Sequence, residues 1–414
     1  MSATIPASAP QRISLDEARA IVQTLTASRV RSIERIDVEA AAGRILAHPL
    51  RAPHALPTFA NSAMDGYALR AADLPSTGER TLRLIGRQLA GKAPAPEVAP
   101  GTCVRITTGA PLPAGADTVV IQERVRREGD AVSVSAGIAA GANVRARGED
   151  FAAGAEVLGA GRVLDPGALA LLASFGVLEV SVHRRPRVAI LTTGDELVPA
   201  AAMPGFGQLR DSNGPMLAAL AAASGAQVVA VRHVGDDAQA TEQSLRALAA
   251  MADVLLTSGG ASVGDADLLP QLARQHGRVH FWKVRIKPGM PVLAAEIESA
   301  LWFALPGNPV STAATFLTLV RPALQQLGGR EPSSMLYAEL AHAVSKPHDR
   351  AEFLRGSLRC GADARLVFTA HARQGSAQLS GLVVANSLGL IPEDARELEA
   401  GSVIEILPLP ALWS

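Results

Sequence analysis

Four clusters of residues able to bind anions or metal ions follow strand-like runs between residues 186 and 330 of this 414-residue chain. The first is Thr192-Thr193-Gly194-Asp195-Glu196-Leu197, with two hydroxyls, a glycine and two carboxylates. Its acids either cap the next helix or face a ligand at the strand terminus. The second, Ser258-Gly259-Gly260-Ala261-Ser262-Val263-Gly264-Asp265-Ala266-Asp267, lets backbone amides approach an anion closely. Its trailing acids either cap a helix at Leu268 or hold Mg²⁺ through oxygen. The third runs from Phe281 to Gly289 and carries Lys283, Arg285 and Lys287. On an extended segment these three point to one side and repel unless an anion neutralises them. Lysine is a point-charge phosphate binder, and the chain has only four lysines (92, 283, 287 and 346) against 35 arginines. The fourth, Leu305-Pro306-Gly307-Asn308-Pro309-Val310-Ser311, stiffens a turn with two prolines and sets Ser311 near a helix N-terminus, a ready anion site. Taken alone it also reads as a plain strand-to-helix turn.

Other chemistries are disfavoured. No Gly-Lys-Ser/Thr closes the glycine-rich loop, and no G-x-G-x-x-G follows a strand, which argues against an ordinary nucleoside triphosphatase or NAD enzyme. There is no Gly-x-Ser-x-Gly elbow. His276 and His280 are four apart, but Gly277 lies between them and no Glu follows His276, so the zinc-helix pattern is absent. Cys103 and Cys360 form neither a CxxC pair nor a disulfide framework, which suits a reducing cytosol.

The elements that must position these loops lie in residues 186–330. Buried strand runs (Val188–Thr192, Gln227–Val234, Val254–Ser258, Val279–Val284, Leu301–Leu305) alternate with helical ones (Pro215–Ser224, Ala238–Met251, Leu268–His276, Val310–Leu327). That alternation predicts a parallel sheet covered on both faces, with ligands at the carboxyl ends of its strands. Four loops then share one rim that suits a large polyanion with Mg²⁺. Ser14 before Leu15-Asp-Glu predicts a capped helix to about Ala27, and Arg35–Leu50 a short strand and a second helix. Residues 1–12 read as a disordered tail. Residues 51–150 read as a β-rich module, with strand runs between Gly and Pro clusters. Residues 331–414 read as a small β domain, with strands expected at 365–370, 381–384, 388–391 and 403–407. The expected segments are 13–50, 51–150, 151–185, 186–330 and 331–414.

Acidic and basic residues number 39 each, which argues against general nucleic-acid binding. No apolar run reaches the ~20 residues of a membrane span, and the N-terminus lacks a basic region followed by an apolar one. A cytoplasmic protein without membrane or nucleic-acid partners is the expectation.

The motifs as a set resemble the MoeA-type molybdopterin molybdenumtransferases, the family that includes the C-terminal part of gephyrin. They are Asn61-Ser-Ala-Met-Asp65-Gly-Tyr-Ala68, Arg105-Ile-Thr-Thr108-Gly-Ala-Pro111, Arg147-Gly-Glu-Asp150, Thr193-Gly-Asp-Glu196-Leu, Ser258 to Gly264, Lys283 to Gly289 and Leu305 to Ser311, in the family's order. The resemblance implies a multidomain α/β plus β protein. Its central parallel α/β domain would be similar to molybdopterin adenylyltransferase, joined by a discontinuous N-terminal domain (13–50 with 151–185), a β-rich module (51–150) inserted into it, and a C-terminal β-barrel-like domain. It implies molybdenum insertion from molybdate into adenylylated molybdopterin with Mg²⁺ and release of AMP. It implies a homodimer with its active cleft between subunits, and molybdopterin adenylyltransferase and apo-molybdoenzymes as further partners. By the resemblance, Glu196, Asp236 and Asp267 handle Mg²⁺ and the adenylate end, and Lys283 and Lys287 face phosphate and oxyanion. Asp65, Thr108 and Asp150 meet the partner's cleft. Ser258, Gly259, Gly260, Ser262, Pro306, Pro309 and Ser311 line the ligand site, and Arg355 and Ser376 supply a molybdate pocket. The family often carries Lys after Lys-Pro-Gly; here Met290 stands there, with Arg285 expected to compensate. The alternatives are a molybdopterin adenylyltransferase and a non-catalytic pterin-binding scaffold.

Overall fold

The computed structural model describes residues 11–29, 31–259, 268–330 and 335–410. Its centre is a seven-stranded sheet. In spatial order the strands are Gln11–Ile13, Gly277–Val284, Leu293–Ile297, Ala300–Leu305, Val254–Ser258, Arg187–Thr193 and Gln227–Val234. All pair in parallel except Leu293–Ile297, which runs antiparallel to both neighbours. That strand is an addition to the expected sheet. It forms a hairpin with Ala300–Leu305, in which Ile297 faces Ala300 and Glu298 takes a φ of 52°. Because the hairpin returns the chain, Gly277–Val284 still runs parallel to the other strands, and its exit loop reaches the same rim.

The strands bury both faces, as a sheet between helical layers must. Val188, Ile190, Val254, Leu256, Leu301 and Phe303 face one cluster; Ala189, Leu191, Leu255, Ala300 and Trp302 face the other. The first face is covered by helix Asn213–Ala223 and by the helical run Pro309–Leu327, which passes through a π-helical turn at Phe316–Val320. Ala238–Met251 and Leu268–His276 cover the second. Helix Leu15–Ala27 begins at a capping box: the Ser14 hydroxyl accepts from Glu17 N, and the Glu17 carboxylate accepts from Ser14 N. Its buried residues Leu15, Ala18, Val22 and Thr26 lie on one face. The first three join the α/β core, so this helix packs with the central sheet although the chain then leaves for a separate unit. Of the expected tail 1–12, residues 1–10 lie outside the described residues, and Gln11 and Arg12 belong to a strand, Gln11–Ile13, that pairs with Trp282 and Val284.

The separate unit pairs Ile33–Asp37 with Glu179–His183 and adds helix Pro166–Ser174. After Asp37 comes a single tight helical turn, Val38–Ala40, in place of the expected second helix. Residues 66–135 supply the six-stranded sheet of the β-rich module. At the C-terminus, Ala351–Cys360, Leu366–Ala370, Leu336–Leu340, Val403–Pro408 and Ser387–Ile391 close into a five-stranded barrel. Residues 381–384 are not a strand there. Leu379–Val384 forms a helix, since every barrel strand already has its two neighbours. No helix among the described residues is long and apolar enough to cross a membrane.

Candidate active site

The carboxyl ends of the central strands open into a cleft of about 1090 Å³, whose far wall is the barrel. Side chains from three loops brace its floor. Asn213 Nδ2 donates to Ser258 Oγ (2.8 Å) and to Gly307 O (2.6 Å), and Ser258 Oγ donates to Pro306 O (3.1 Å). Thr312 Oγ1 donates to Pro306 O and Asn308 O. The loops approach so closely that a Cβ at Gly259, where φ is 103°, would lie 2.3 Å from Thr193 O. Glycine is therefore required by both space and backbone conformation.

The barrel side is joined to this floor. Asn308 Nδ2 donates to Ser376 Oγ and Val310 N to Ser376 O. Strand Ile286–Lys287 leaves the α/β unit and pairs in parallel with Ala351–Glu352 of the barrel. Lys287 Nζ lies 2.8 Å from a Glu352 oxygen, and His348 Nε2 lies 3.3 Å from the other. The Glu352 side chain is 9% exposed and that of Lys287 43%. Burial pushes the His348 imidazole below its ordinary value. Glu352 pulls it up, and Lys287, Arg350 and Lys346 push it down.

Of the expected residues, Glu196, Ser258, Gly259, Lys287, Pro306, Pro309, Ser311 and Ser376 line the cleft. Gly260, Ser262 and Asp267 lie outside the described residues. Asp236 sits beside the first loop: its carboxylate accepts from Asp195 N, and Asp195 accepts from Asp236 N. Arg355 is fully buried. Its guanidinium donates to Gln378 O and Arg373 O, and its backbone N–H donates to Gln374 Oε1, so it frames the loop that carries Ser376. Asp65 and Thr108 meet in the β-rich module. The Asp65 carboxylate accepts from Thr108 N (2.7 Å) and Oγ1 (2.9 Å), which hold it below its usual value. Asp150 is exposed and donates its backbone N–H to Leu56 O.

The three cations of residues 283–287 do not share one side. Lys283 has a φ of 68°, which breaks the extended alternation, and its ammonium lies 4.2 Å from the Trp282 ring centre. Arg285 pairs with Glu393 at 2.9 Å, so it does not replace the charge absent at Met290. The cleft instead gains Arg210 and Arg350, neither of which has a carboxylate within ion-pair distance among the described residues. Sequence reasoning missed these arginines, Asp211, Asn213 and the role of Glu352. The run Asp211-Ser-Asn-Gly-Pro was a readable helix start: Asp211 accepts from Thr192 Oγ1 and Gly214 N. Burial of Glu352 had no signal in the sequence.

Among the described residues no three His, Cys, Asp or Glu side chains gather as a metal cage. The exposed carboxylate of Glu196 faces the cleft without a hydrogen bond or ion pair among those residues. Hard oxygens, one or two per ion and open to a ligand, fit Mg²⁺ shared with a phosphate-bearing substrate.

Comparison with known proteins places this cleft within a family. Residues 13–176 match the MoeA N-terminal region (domain I and II), 189–326 a probable molybdopterin binding domain, and 337–409 the MoeA C-terminal region (domain IV). A molybdopterin molybdenumtransferase of Haemophilus influenzae is 35% identical over 383 residues, covering 91% of this chain and 93% of that protein. Molybdopterin molybdenumtransferase 2 of Mycobacterium tuberculosis is 35% identical over 401 residues, covering 94% and 98%. A solved structure of the molybdopterin biosynthesis moeA protein of Pyrococcus horikoshii OT3 superposes with a TM-score of 0.85 at 28% identity, covering 96% of this chain and all of that one.

Proposed function

The chain belongs to the MoeA family of molybdopterin molybdenumtransferases, and from that premise we propose that its cleft moves molybdenum from molybdate onto adenylylated molybdopterin, releasing AMP. The observation that carries this reading is the meeting of two unlike walls. The α/β rim offers backbone donors, Arg210 and the unpaired Glu196; the barrel offers Arg350, Ser376 and the Lys287–Glu352 pair. Molybdate and a phosphoanhydride are both oxyanions with tetrahedral centres, so one cationic cleft suits both.

In this reading Lys287, Ser311 and Ser376 receive the molybdate, with Arg355 positioning Ser376 through its buried bonds to residues 373–378. Ser258, Gly259, Pro306 and Pro309 shape the wall along which the pterin phosphate lies, joined by Gly260 and Ser262. Lys283 would supply a second cation toward the phosphates once its ammonium leaves the Trp282 ring. Glu196, Asp236 and Asp267 would hold Mg²⁺, which when bound offsets charge on the phosphate being released. Preorganised donors and cations stabilise charge developing on that phosphate, and no covalent nucleophile is required. The unused thiols agree: Cys103 is buried and pushed up to about 12. Asp65, Thr108 and Asp150 do not line the cleft of their own chain. They are assigned to the cleft of a partner in a homodimer.

The test is molybdate-dependent AMP release from adenylylated molybdopterin with Mg²⁺, followed by reconstitution of a molybdenum-free apoenzyme. Release with reconstitution supports the transferase reading. Tight pterin binding without AMP release would replace it with a carrier. Lys287→Ala is expected to lose transfer while remaining folded.

A further inference from the structure

A second cavity, of about 230 Å³, lies away from the cleft where the chain passes twice between the N-terminal unit and the α/β unit. One crossing is residues 28–32, between helix Leu15–Ala27 and strand Ile33–Asp37. The other is residues 184–186, between strands Glu179–His183 and Arg187–Thr193. Arg184 N donates to Ser32 O, so the crossings are hydrogen-bonded to each other. Arg29, Arg31, Ser32 and Arg184 line the cavity together with Asp253 at the base of strand Val254–Ser258.

The charges there do not cancel. Arg29 is matched by Glu296 at 2.9 Å, a carboxylate it shares with His280. Asp253 is committed to Arg187: one oxygen lies 2.9 Å from the guanidinium, and the other accepts the Arg187 backbone N–H at 2.7 Å. Arg184 reaches Asp253 only at 3.5 Å, and Arg31 has no carboxylate within ion-pair distance among the described residues. Two guanidinium charges are therefore left over. Arg29 Nε is in addition a buried N–H with no acceptor among those residues. An unmade hydrogen bond from a charged, buried donor is costly, and converging like charges repel. The excess positive field reaches His183, which burial and then Arg31 and His48 hold below its ordinary value.

From this geometry we infer that the crossing cavity is a binding site for a phosphate-type dianion, separate from the cleft. Guanidinium forks match the paired oxygens of carboxylates and phosphates, and of the two a phosphate carries the second charge on a single small group. A dianion would balance the surplus of two charges, and the volume of about 230 Å³ is ample for one phosphate group. Bound there, the anion would tie both crossings together, since Arg31 comes from one and Arg184 from the other. The same chemistry has two sources: free inorganic phosphate, or a phosphomonoester whose organic part stays outside.

The test is calorimetric titration of the full-length protein with inorganic phosphate at fixed ionic strength set by chloride. It is run on the wild type, Arg31→Gln, and the double variant Arg31→Gln/Arg184→Gln. Arg31 is exposed and holds no ion pair, so its single variant is expected to fold. The wild type should bind phosphate saturably, and the affinity should fall at least tenfold in Arg31→Gln. Unchanged affinity in Arg31→Gln, or the same weak heat with phosphate as with extra chloride, would overturn the site. A parallel titration with AMP separates the sources. Arg31-dependent binding of AMP as tight as that of phosphate assigns a phosphomonoester, and binding of phosphate alone assigns the free anion. AMP binding that Arg31→Gln leaves untouched belongs to the cleft and does not bear on this cavity.

Discussion

Lys287→Ala separates the structural role of this lysine from its proposed chemistry. The substitution leaves the Glu352 carboxylate, 9% exposed, beside a His348 whose charge burial opposes. Breaking a fully buried pair costs about 3–5 kcal/mol, and an exposed one ~0–1 kcal/mol. With Lys287 43% exposed, the expected cost lies between, at roughly 2 kcal/mol at pH 8. Glu352→Gln in the same background should recover most of it, since no buried charge then lacks a partner. The pH dependence has a definite sign. In the wild type the folded-state value of His348 is depressed. Its contribution to stability is present above its unfolded value near 6.5 and is lost as pH falls through that range. Removing Lys287 deletes one of the charges that depress it, so in Lys287→Ala the imidazole takes its proton at higher pH and becomes the partner of Glu352. The cost of the substitution should therefore be smaller at pH 5.5 than at pH 8. The assay is urea unfolding followed by circular dichroism on Lys287→Ala, Glu352→Gln and the double variant at both pH values. A coupling energy under ~0.3 kcal/mol at pH 8, or a cost that does not change with pH, would refute the reasoning.

Three further outcomes are expected. Native protein should expose one fast-reacting thiol at pH 8, Cys360, and a second only on unfolding, because Cys103 is buried and its thiol is raised to about 12; two fast thiols in the native state would contradict the burial. Gly259→Ala should lower stability by about 1–3 kcal/mol, or shift the first loop, through its left-handed backbone and the contact with Thr193 O. Unchanged unfolding and unchanged oxyanion affinity would show that the loops are not packed this closely. Thr108→Ala should raise the titration midpoint of Asp65, followed by carboxyl NMR, since both bonds to Thr108 favour the charged form. The depressed value contributes stability above the unfolded carboxyl range and loses it as pH falls through the folded value; Thr108→Ser, which keeps the hydroxyl as well as the backbone donor, should move the midpoint less.

What the sequence disclosed follows from which signals are local. Strand–helix alternation, the Ser14 capping box and the loop motifs are contiguous and could be read directly. Leu293–Ile297 could not, because Leu-Ala-Ala-Glu-Ile carries little strand signal of its own and owes its place to neighbours on both sides. Gly381-Leu-Val-Val reads as a strand by composition, yet residues 379–384 are helical, with Gly381 against the Arg355 guanidinium, where a Cβ would come within 2.7 Å. Site residues divide in the same way. Glu196 and Lys287 sit in loops whose purpose is visible from the chemistry they carry. Glu352 and Asn213 matter through partners 65 and 45 residues away, which no local pattern records.

The antiparallel strand also acts as a spacer that sets the length of ligand the rim can span. Strands in a sheet stand about 4.8 Å apart. Leu293–Ile297 inserts one extra interval, so the exits of Arg187–Thr193 and Gly277–Val284 are four intervals, or roughly 19 Å, apart along the rim. Without it they would be three intervals apart, near 14 Å. The loops reach inward from those exits, Glu196 from one and Lys287 from the other. The spacing of the two exits suits an elongated ligand held at two ends. Removing the strand altogether would change the reach of the cleft without altering any residue that lines it.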